Sequence, residues 1–317
     1  MIGVGDIMSK FIDALIGHAI GDAMGVPIEF ESRDVLLKRP VTKMIGYGSH
    51  DVPKGTWSDD TSMVIATMIS FINKGFFECK DIMMNFYYWL KESKFTAVDK
   101  VFDAGHTCIS SIINFSKGYE LKDCGQKDLS SNGNGSLMRI LPVALYSYNK
   151  TLSENKIIQL TNDISSLTHA HEISKLGCYI YVRYVMFLLS GLDKKEAYNQ
   201  LQKISYDDYS KDSREVYKRI LKEDISKLSL DEINSTGYVV DTLEASIWII
   251  LQCNSFNETI IGAINLGEDT DTIGAITGAM AGIIYGYNSI KKEWLNDLKK
   301  REYLIDVAKK FENIVTK

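Results

Sequence analysis

GEDTDTIGAITGAMAGIIYG, residues 267–286, is the stretch whose reading decides the fold. Gly274, Gly278, Gly282 and Gly286 recur in it at four-residue spacing. Positions i and i+4 share one face of a helix. Each glycine costs a helix about 1 kcal/mol relative to alanine. A whole stripe therefore needs an offset, and close approach of a second helix backbone supplies one. A matching stripe lies near the other end of the chain. Gly17, Gly21 and Gly25 sit in IGHAIGDAMGVPIEF, residues 16–30. The expectation is two central helices in backbone contact. Asp22 and Glu29 lie beside the first stripe, Asp269 and Asp271 beside the second. Close packing would bring these acids together.

The rest of the chain agrees with a helical reading. It has 317 residues, of which 45% are hydrophobic, enough for a large core. Only Pro27, Pro40, Pro53 and Pro142 could interrupt helices, and none follows residue 142. Apolar residues recur at helical spacing in Phe11-Leu15-Ala19, Ile180-Tyr184-Phe187 and Trp294-Leu298-Ile305-Ala308-Phe311-Val315. Strand signals are weak, and no Pro/Ser/Gly linker divides the chain. We therefore expect an all-α protein, one multi-helix domain over residues 1–317 with more than ten helices. The most polar tract, 205–235, reads as a solvated helix with loops.

The net charge of −5 argues against a nucleic-acid or anionic-membrane partner, since both need clustered Lys and Arg. The uncharged run from Thr272 to Ile290 is long enough for a membrane span, but its Gly, Tyr and Asn suit a buried helix better. Asp6 and Lys10 interrupt any secretory leader. Cys79, Cys108, Cys124, Cys178 and Cys253 form no C-x-x-C pair and read as reduced thiols in a cytoplasmic protein. A monomer is the expectation.

GTWSDDTSM, residues 55–63, places Ser58, Asp59, Asp60 and Thr61 just before Met63-Val64-Ile65-Ala66. Ser and Asp are favoured helix caps, and acids there complement the helix dipole. Two adjacent carboxylates cannot both fill one cap, however, and successive helical positions point about 100° apart. Asp269, Thr270, Asp271 and Thr272 repeat the theme. In an extended lead-in, Asp269 and Asp271 face one side, and Thr272 caps a helix from Ile273. Carboxylates and hydroxyls without Cys or a close His pair select hard ions, Mg²⁺, Mn²⁺ or Ca²⁺. The spacing is not that of an EF-hand, so only the fold could join the two clusters.

SSNGNGSLMR, residues 130–139, is a small-residue loop. Gly133 and Gly135 permit close ligand approach, and exposed amides in such a loop can hold phosphate oxygens. It lacks the Gly-Lys-Ser/Thr ending of a P-loop. His169 and His171 stand two apart between helical stretches. On pattern alone a structural role for His169 is favoured, and His18, His50 and His106 carry less signal still.

Six stretches taken together resemble the ADP-ribosylglycohydrolase family, which includes the dinitrogenase-reductase-activating glycohydrolases. They are IGHAIGDAMGVPIEF (16–30), GTWSDDTSM (55–63), SNGNGSLMR (131–139), LTHAHEIS (167–174), TGYVVDTLEASIWIIL (236–251) and NLGEDTDTIGAITGAMAGIIYG (265–286). The resemblance implies an all-α single domain with a binuclear Mg²⁺ or Mn²⁺ centre in a cleft. It implies metal ligands at Ser58, Asp59, Asp60, Asp269, Asp271 and Thr272. Gly133, Asn134, Gly135, Ser136, Met138 and His169 would hold ADP-ribose. Glu29, Asp59 and Asp60 would serve catalysis. Glu268 stands where many relatives have glycine, and would either crowd the metal site or point to solvent.

The reaction so implied is hydrolysis of the bond between ribose C1″ and a side-chain nitrogen or oxygen, through an oxocarbenium-like state. Two cations would orient the ribose and activate a water, with Glu29 accepting a proton or holding the ribose. The partner would be an ADP-ribosylated protein or a small conjugate, and arginine, serine and other linkages stay open. Three alternatives stand beside it: a non-catalytic ADP-ribose-binding member of the fold, another metal-dependent hydrolase of phosphoesters or nucleoside-type glycosides, and two capped helices without any metal.

Overall fold

The structure, a computed structural model, describes residues 9–317; Asp6 lies outside them. Among the described residues there are seventeen α-helices, of which the longer ones are numbered. They are α1 (Lys10–Gly25), α2 (Asp59–Lys74), α3 (Cys79–Glu92), α4 (His106–Ser116), α5 (Leu141–Asn149) and α6 (Glu154–Ser166), followed by α7 (Glu172–Leu189), α8 (Lys194–Leu201), α9 (Val239–Gln252), α10 (Phe256–Ile264), α11 (Thr270–Tyr285) and α12 (Arg301–Val315). Extended pairing among the described residues is confined to two isolated bridges, Gln126 with His169 and Gly133 with Tyr238. The all-α expectation is met.

The two glycine stripes meet. A Cβ on Gly17 would lie 2.2 Å from the Gly278 carbonyl oxygen, and one on Gly282 would lie 2.0 Å from the Asp13 oxygen. At the far end, a Cβ on Gly25 would lie 2.3 Å from the Thr270 oxygen. The two helices therefore run antiparallel with backbones touching, which sets the C-terminal end of α1 against the N-terminal end of α11. Both are buried on every side, as expected of central helices that are apolar all round. Residues 272–283 of the uncharged run are thus core. The segment Lys10–Ile28 is also apolar and long enough to cross a membrane, and it is wholly buried inside the molecule.

One contiguous hydrophobic core extends from Phe11 to Val315. The tract 205–235 differs from its expected form. It is broken into the short helices Lys211–Val216 and Lys218–Lys222 with turns after them. Tyr206, Tyr209, Tyr217, Ile220, Leu221, Ile225 and Ile233 are buried. Tyr217 donates a hydrogen bond to the Ile173 carbonyl at 2.9 Å, and Tyr209 stacks on Tyr179. Charged residues dominate the composition of this tract, but its tyrosines carry enough apolar surface to dock it onto α7.

Candidate active site

The first acidic cluster begins α2. Ser58 is its N-cap, and its Oγ accepts a hydrogen bond from the Asp60 amide at 3.3 Å. A second capping group comes from α1. Asp22 Oδ1 accepts from the Ser58 amide at 2.8 Å, while Oδ2 accepts from the Thr61 amide at 3.0 Å and the Thr61 hydroxyl at 2.6 Å. Ser58 and Asp22 thus satisfy the start of α2 and leave Asp59 and Asp60 free for other work. Burial pushes the Asp22 carboxyl up to about 7, opposed by those three hydrogen bonds and one from the Ser58 hydroxyl.

The second cluster begins α11, one turn earlier than its sequence suggests. Asp269 is the N-cap, not part of an extended lead-in, and Asp271 and Thr272 both belong to the first helical turn. Thr272 is therefore not the cap, and Asp269 and Asp271 do not share one face of a strand. The early start is fixed by Thr270, whose hydroxyl donates to the Gly25 carbonyl at 2.8 Å where the glycine helices meet.

The antiparallel pair joins the clusters. Carboxylate oxygens of Asp22, Asp60 and Asp271 lie within 4.8 Å of one another. The Thr272 hydroxyl donates to Asp60 Oδ2 at 3.4 Å, as does Ser58 Oγ at 3.0 Å. Asn134 Nδ2 donates to Asp269 Oδ2 at 2.7 Å. Three oxygens, Asp60 Oδ1, Asp269 Oδ1 and Asp271 Oδ2, are buried with no hydrogen-bond partner. Burial, then neighbouring acids, pushes Asp59, Asp60 and Asp271 well above the usual carboxylate range. Unpaired buried carboxylates are costly unless a cation answers them. With hydroxyls and carboxylates alone in the set, the residues present fit hard divalent ions.

Asp59, Asp269 and Thr272 border a cavity of about 240 Å³. Glu29 lines it with these three, together with Gly133, Asn134, Gly135, Met138 and His169. Ser58, Asp60 and Asp271 do not reach its wall. Ser136 is turned inward, accepting from Ser165 Oγ at 2.9 Å and lying 3.4 Å from Cys178 Sγ. The glycine loop is anchored to the chain ahead of α9, with the Asn134 amide on the Gly237 carbonyl at 3.0 Å. Gly135 must be small. A Cβ there would lie 2.8 Å from His169 Cε1 and 2.9 Å from Cys108 Sγ.

His169 is buried, and burial followed by the Arg139 charge pulls its imidazole down to about 3. Arg139 Nη2 donates to Thr168 Oγ1 at 2.8 Å, and that hydroxyl lies 2.8 Å from His169 Nδ1. With the threonine hydrogen on Nδ1, Nε2 carries the proton and offers a neutral donor beside the glycine loop.

Glu29 has partners that the sequence did not mark. His50 Nε2 lies 2.5 Å from Glu29 Oε2, and Glu29, His50 and Asp103 bring ligand atoms within 4.8 Å of one another. Burial pushes Glu29 up to about 8; the His50 hydrogen bond opposes this, and Asp103 and Asp269 add to it. The Glu29 hydrogen bond raises His50 in turn. Neither His50 nor Asp103 sits in a patterned stretch. Asp22 did carry a signal, because a carboxylate inside an otherwise apolar buried helix must find hydrogen-bond partners.

Glu268 is exposed and lies outside the cavity wall, so it points to solvent. Its backbone is left-handed, φ 62°, as is that of Phe30, φ 68°. The Phe30 amide donates to the Glu268 carbonyl at 2.7 Å, and the Glu268 amide to the Glu31 carbonyl at 2.8 Å. This short clasp holds the chain after Glu29 against the chain before Asp269. Glycine suits such a φ better than glutamate does.

Comparison with known proteins gives one answer. A sequence model of the ADP-ribosylglycohydrolase family matches residues 4–317. The chain is 28% identical to an ADP-ribosylarginine hydrolase of Serratia proteamaculans, over 97% of this chain and 80% of that protein. It is 27% identical to the ADP-ribosyl-[dinitrogen reductase] glycohydrolase of Rhodospirillum rubrum, over 92% and 91%. A solved ADP-ribosylglycohydrolase-related protein complex shares the fold with a TM-score of 0.81 and 25% identity, over 96% of this chain and 98% of that one.

Proposed function

Since the chain belongs to the ADP-ribosylglycohydrolase family, we propose that it removes ADP-ribose from a modified arginine side chain or small conjugate by hydrolysing the C1″ glycosidic bond. ADP-ribose removal is the activity by name of the relatives cited above, and arginine is the acceptor named for two relatives. The observation that carries the reading is the convergence of two remote helix starts on one cavity. Asp269 Oδ1 at its wall, and Asp60 Oδ1 and Asp271 Oδ2 outside its lining, stay unpaired although buried.

Asp59, Asp60, Asp269, Asp271 and Thr272 would hold two Mg²⁺ or Mn²⁺ ions. Ser58 lies at the edge of this set and positions Asp60. When bound, such ions supply positive charge that neutralises the carboxylates and orients ribose hydroxyls and water. The loop amides of Gly133 and Gly135 receive the diphosphate side of the ligand, beside Met138 and Asn134 on the same wall, with His169 Nε2–H as a neutral donor. Ser136 supports this loop from within. Glu29 acts at the reacting carbon. A carboxyl pushed up toward working pH is suited to exchange a proton, and His50 Nε2 holds Glu29 Oε2 in place for it. Glu29 would take the proton of the attacking water. Asp103, beside that pair, tunes it by charge. Water attack releases the acceptor and free ADP-ribose, with no other co-reactant. The five free thiols suit a reducing cytoplasm, and the protein is taken to act as a monomer.

The test is release of ADP-ribose from ADP-ribosyl-arginine with Mg²⁺, with Mn²⁺ and with chelator. Serine-linked and O-acetylated conjugates run alongside, and phosphate and pyrophosphate are assayed in parallel. Metal-dependent ADP-ribose release is expected. Binding of ADP-ribose without turnover of any conjugate, or phosphate release instead, would overturn the reading.

A further inference from the structure

A second hollow lies in the tract that departed from its expected form. It has a volume of about 560 Å³ and is lined by Lys203, Lys211, Arg214, Lys218 and Lys222. Only two carboxylates, Asp207 and Glu215, face these five cations. That excess runs against the chain as a whole, whose net charge is −5.

Two of the cations are answered. Arg214 pairs with Asp207, and Lys218 Nζ lies 3.4 Å from Glu215 Oε1. Among the described residues, no carboxylate forms an ion pair with Lys203, Lys211 or Lys222. Arg214 Nε is buried and also lacks an acceptor. Like charges gathered on a concave surface repel one another, and a bound anion relieves that repulsion.

The walls are held in place. Gln202 Nε2 donates to the carbonyls of Ile220 at 3.1 Å and Glu223 at 2.6 Å, tying the end of α8 to the helix Lys218–Lys222. Tyr206 and Leu221 close the floor and are buried. Ammonium groups act as strongly hydrated point charges, suited to compact anions of high charge density. No exposed aromatic ring lines the hollow to stack a base.

We propose that this hollow binds a small anion carrying a diphosphate or longer phosphate chain, at a site separate from the carboxylate cavity. Lys203, Lys211 and Lys222 contact the phosphate oxygens. The proposal stands independently of the hydrolase reading, because it uses none of the same residues.

Calorimetric titration of the metal-free full chain tests it, with inorganic pyrophosphate and ADP as separate probes. Saturable one-to-one binding is expected. It should weaken by about tenfold or more in Lys211→Glu/Lys222→Glu, and less in Lys203→Gln. These side chains are exposed, so circular dichroism should be unchanged, and so should turnover of an ADP-ribose conjugate. Equal lysine-dependent affinities for the two probes would assign inorganic diphosphate. Tighter lysine-dependent binding of ADP would assign a nucleotide. Absence of saturable binding overturns the proposal, and so does binding that survives the double charge reversal.

Discussion

Gly21 and Gly274 face each other so closely that a Cβ on Gly21 would sit 1.8 Å from the Gly274 carbonyl oxygen. This contact lies between Gly17–Gly278 and Gly25–Thr270 and sets the register of the two central helices. Asp22 follows Gly21 and Asp271 lies three residues before Gly274, so the same register sets the acidic cluster.

Gly21→Ala should therefore damage fold and site together. The obstructing atom is backbone, which cannot rotate away. Overpacking of this kind costs about 3 kcal/mol or more. Chemical denaturation of the variant beside Gly75→Ala separates packing from conformation. A Cβ at Gly75 meets nothing within 4 Å, and only its φ of 80° is at stake. A smaller loss at position 21 than at 75 would contradict the backbone contact.

Asp60→Asn and Asp271→Asn should move activity and stability in opposite directions. Release of ADP-ribose should fall by about a hundredfold or more, because the cation-binding set is broken. In chelator the same variants should melt higher than wild type, since each removes one acid from a buried group of like charges. Wild type should gain about 2.7 kcal/mol when Mg²⁺ stands at a hundred times its Kd, and the variants should gain little. Differential scanning fluorimetry with and without Mg²⁺ reads both effects.

Glu268→Gly should stabilise the protein by about 1 kcal/mol, because glycine adopts the observed φ of 62° without strain. Turnover should be retained, since the side chain is exposed and outside the cavity. A fall in turnover would show that the carboxylate itself matters.

His18→Leu should raise stability, and more so in acid. His18 is buried, and neither ring nitrogen makes a hydrogen bond of normal geometry; only the Asp60 backbone near it opposes the effect of burial. Burial lowers its imidazole from 6.5 to about 4. Below pH 6.5 the unfolded chain takes up the proton first, so stability is lost as pH falls from 6.5 toward 4. At pH 5 this amounts to about 2 kcal/mol that the leucine variant would not lose. Equilibrium denaturation at pH 7.5 and pH 5 measures the difference.

Much of this architecture could be read from the residues. Glycines at four-residue spacing are costly in a helix unless backbones touch, so the stripes announced the central pair. Doubled carboxylates at 59–60 and 269–271 exceed what one helix start needs. Other features left no local trace. The start of α11 moved forward because Thr270 found the Gly25 carbonyl, a partner at the other end of the chain. The tract 205–235 looked solvated because its charges outnumber its tyrosines, yet the tyrosines dock it onto α7. His50 and Asp103 reach Glu29 from irregular segments, where no periodicity marks a side chain.

By itself, then, the sequence determined the all-α class, the small-residue faces of the two central helices, and the chemical kind of donor at two helix starts. Those are consequences of local periodicity and composition. Only the tertiary structure decided which donors are free. Asp22 spends its oxygens on the start of α2, whereas Asp60, Asp269 and Asp271 each keep one buried oxygen unpaired. A carboxylate's availability is set by the partners that packing brings within hydrogen-bond reach, and here those partners come from distant parts of the chain.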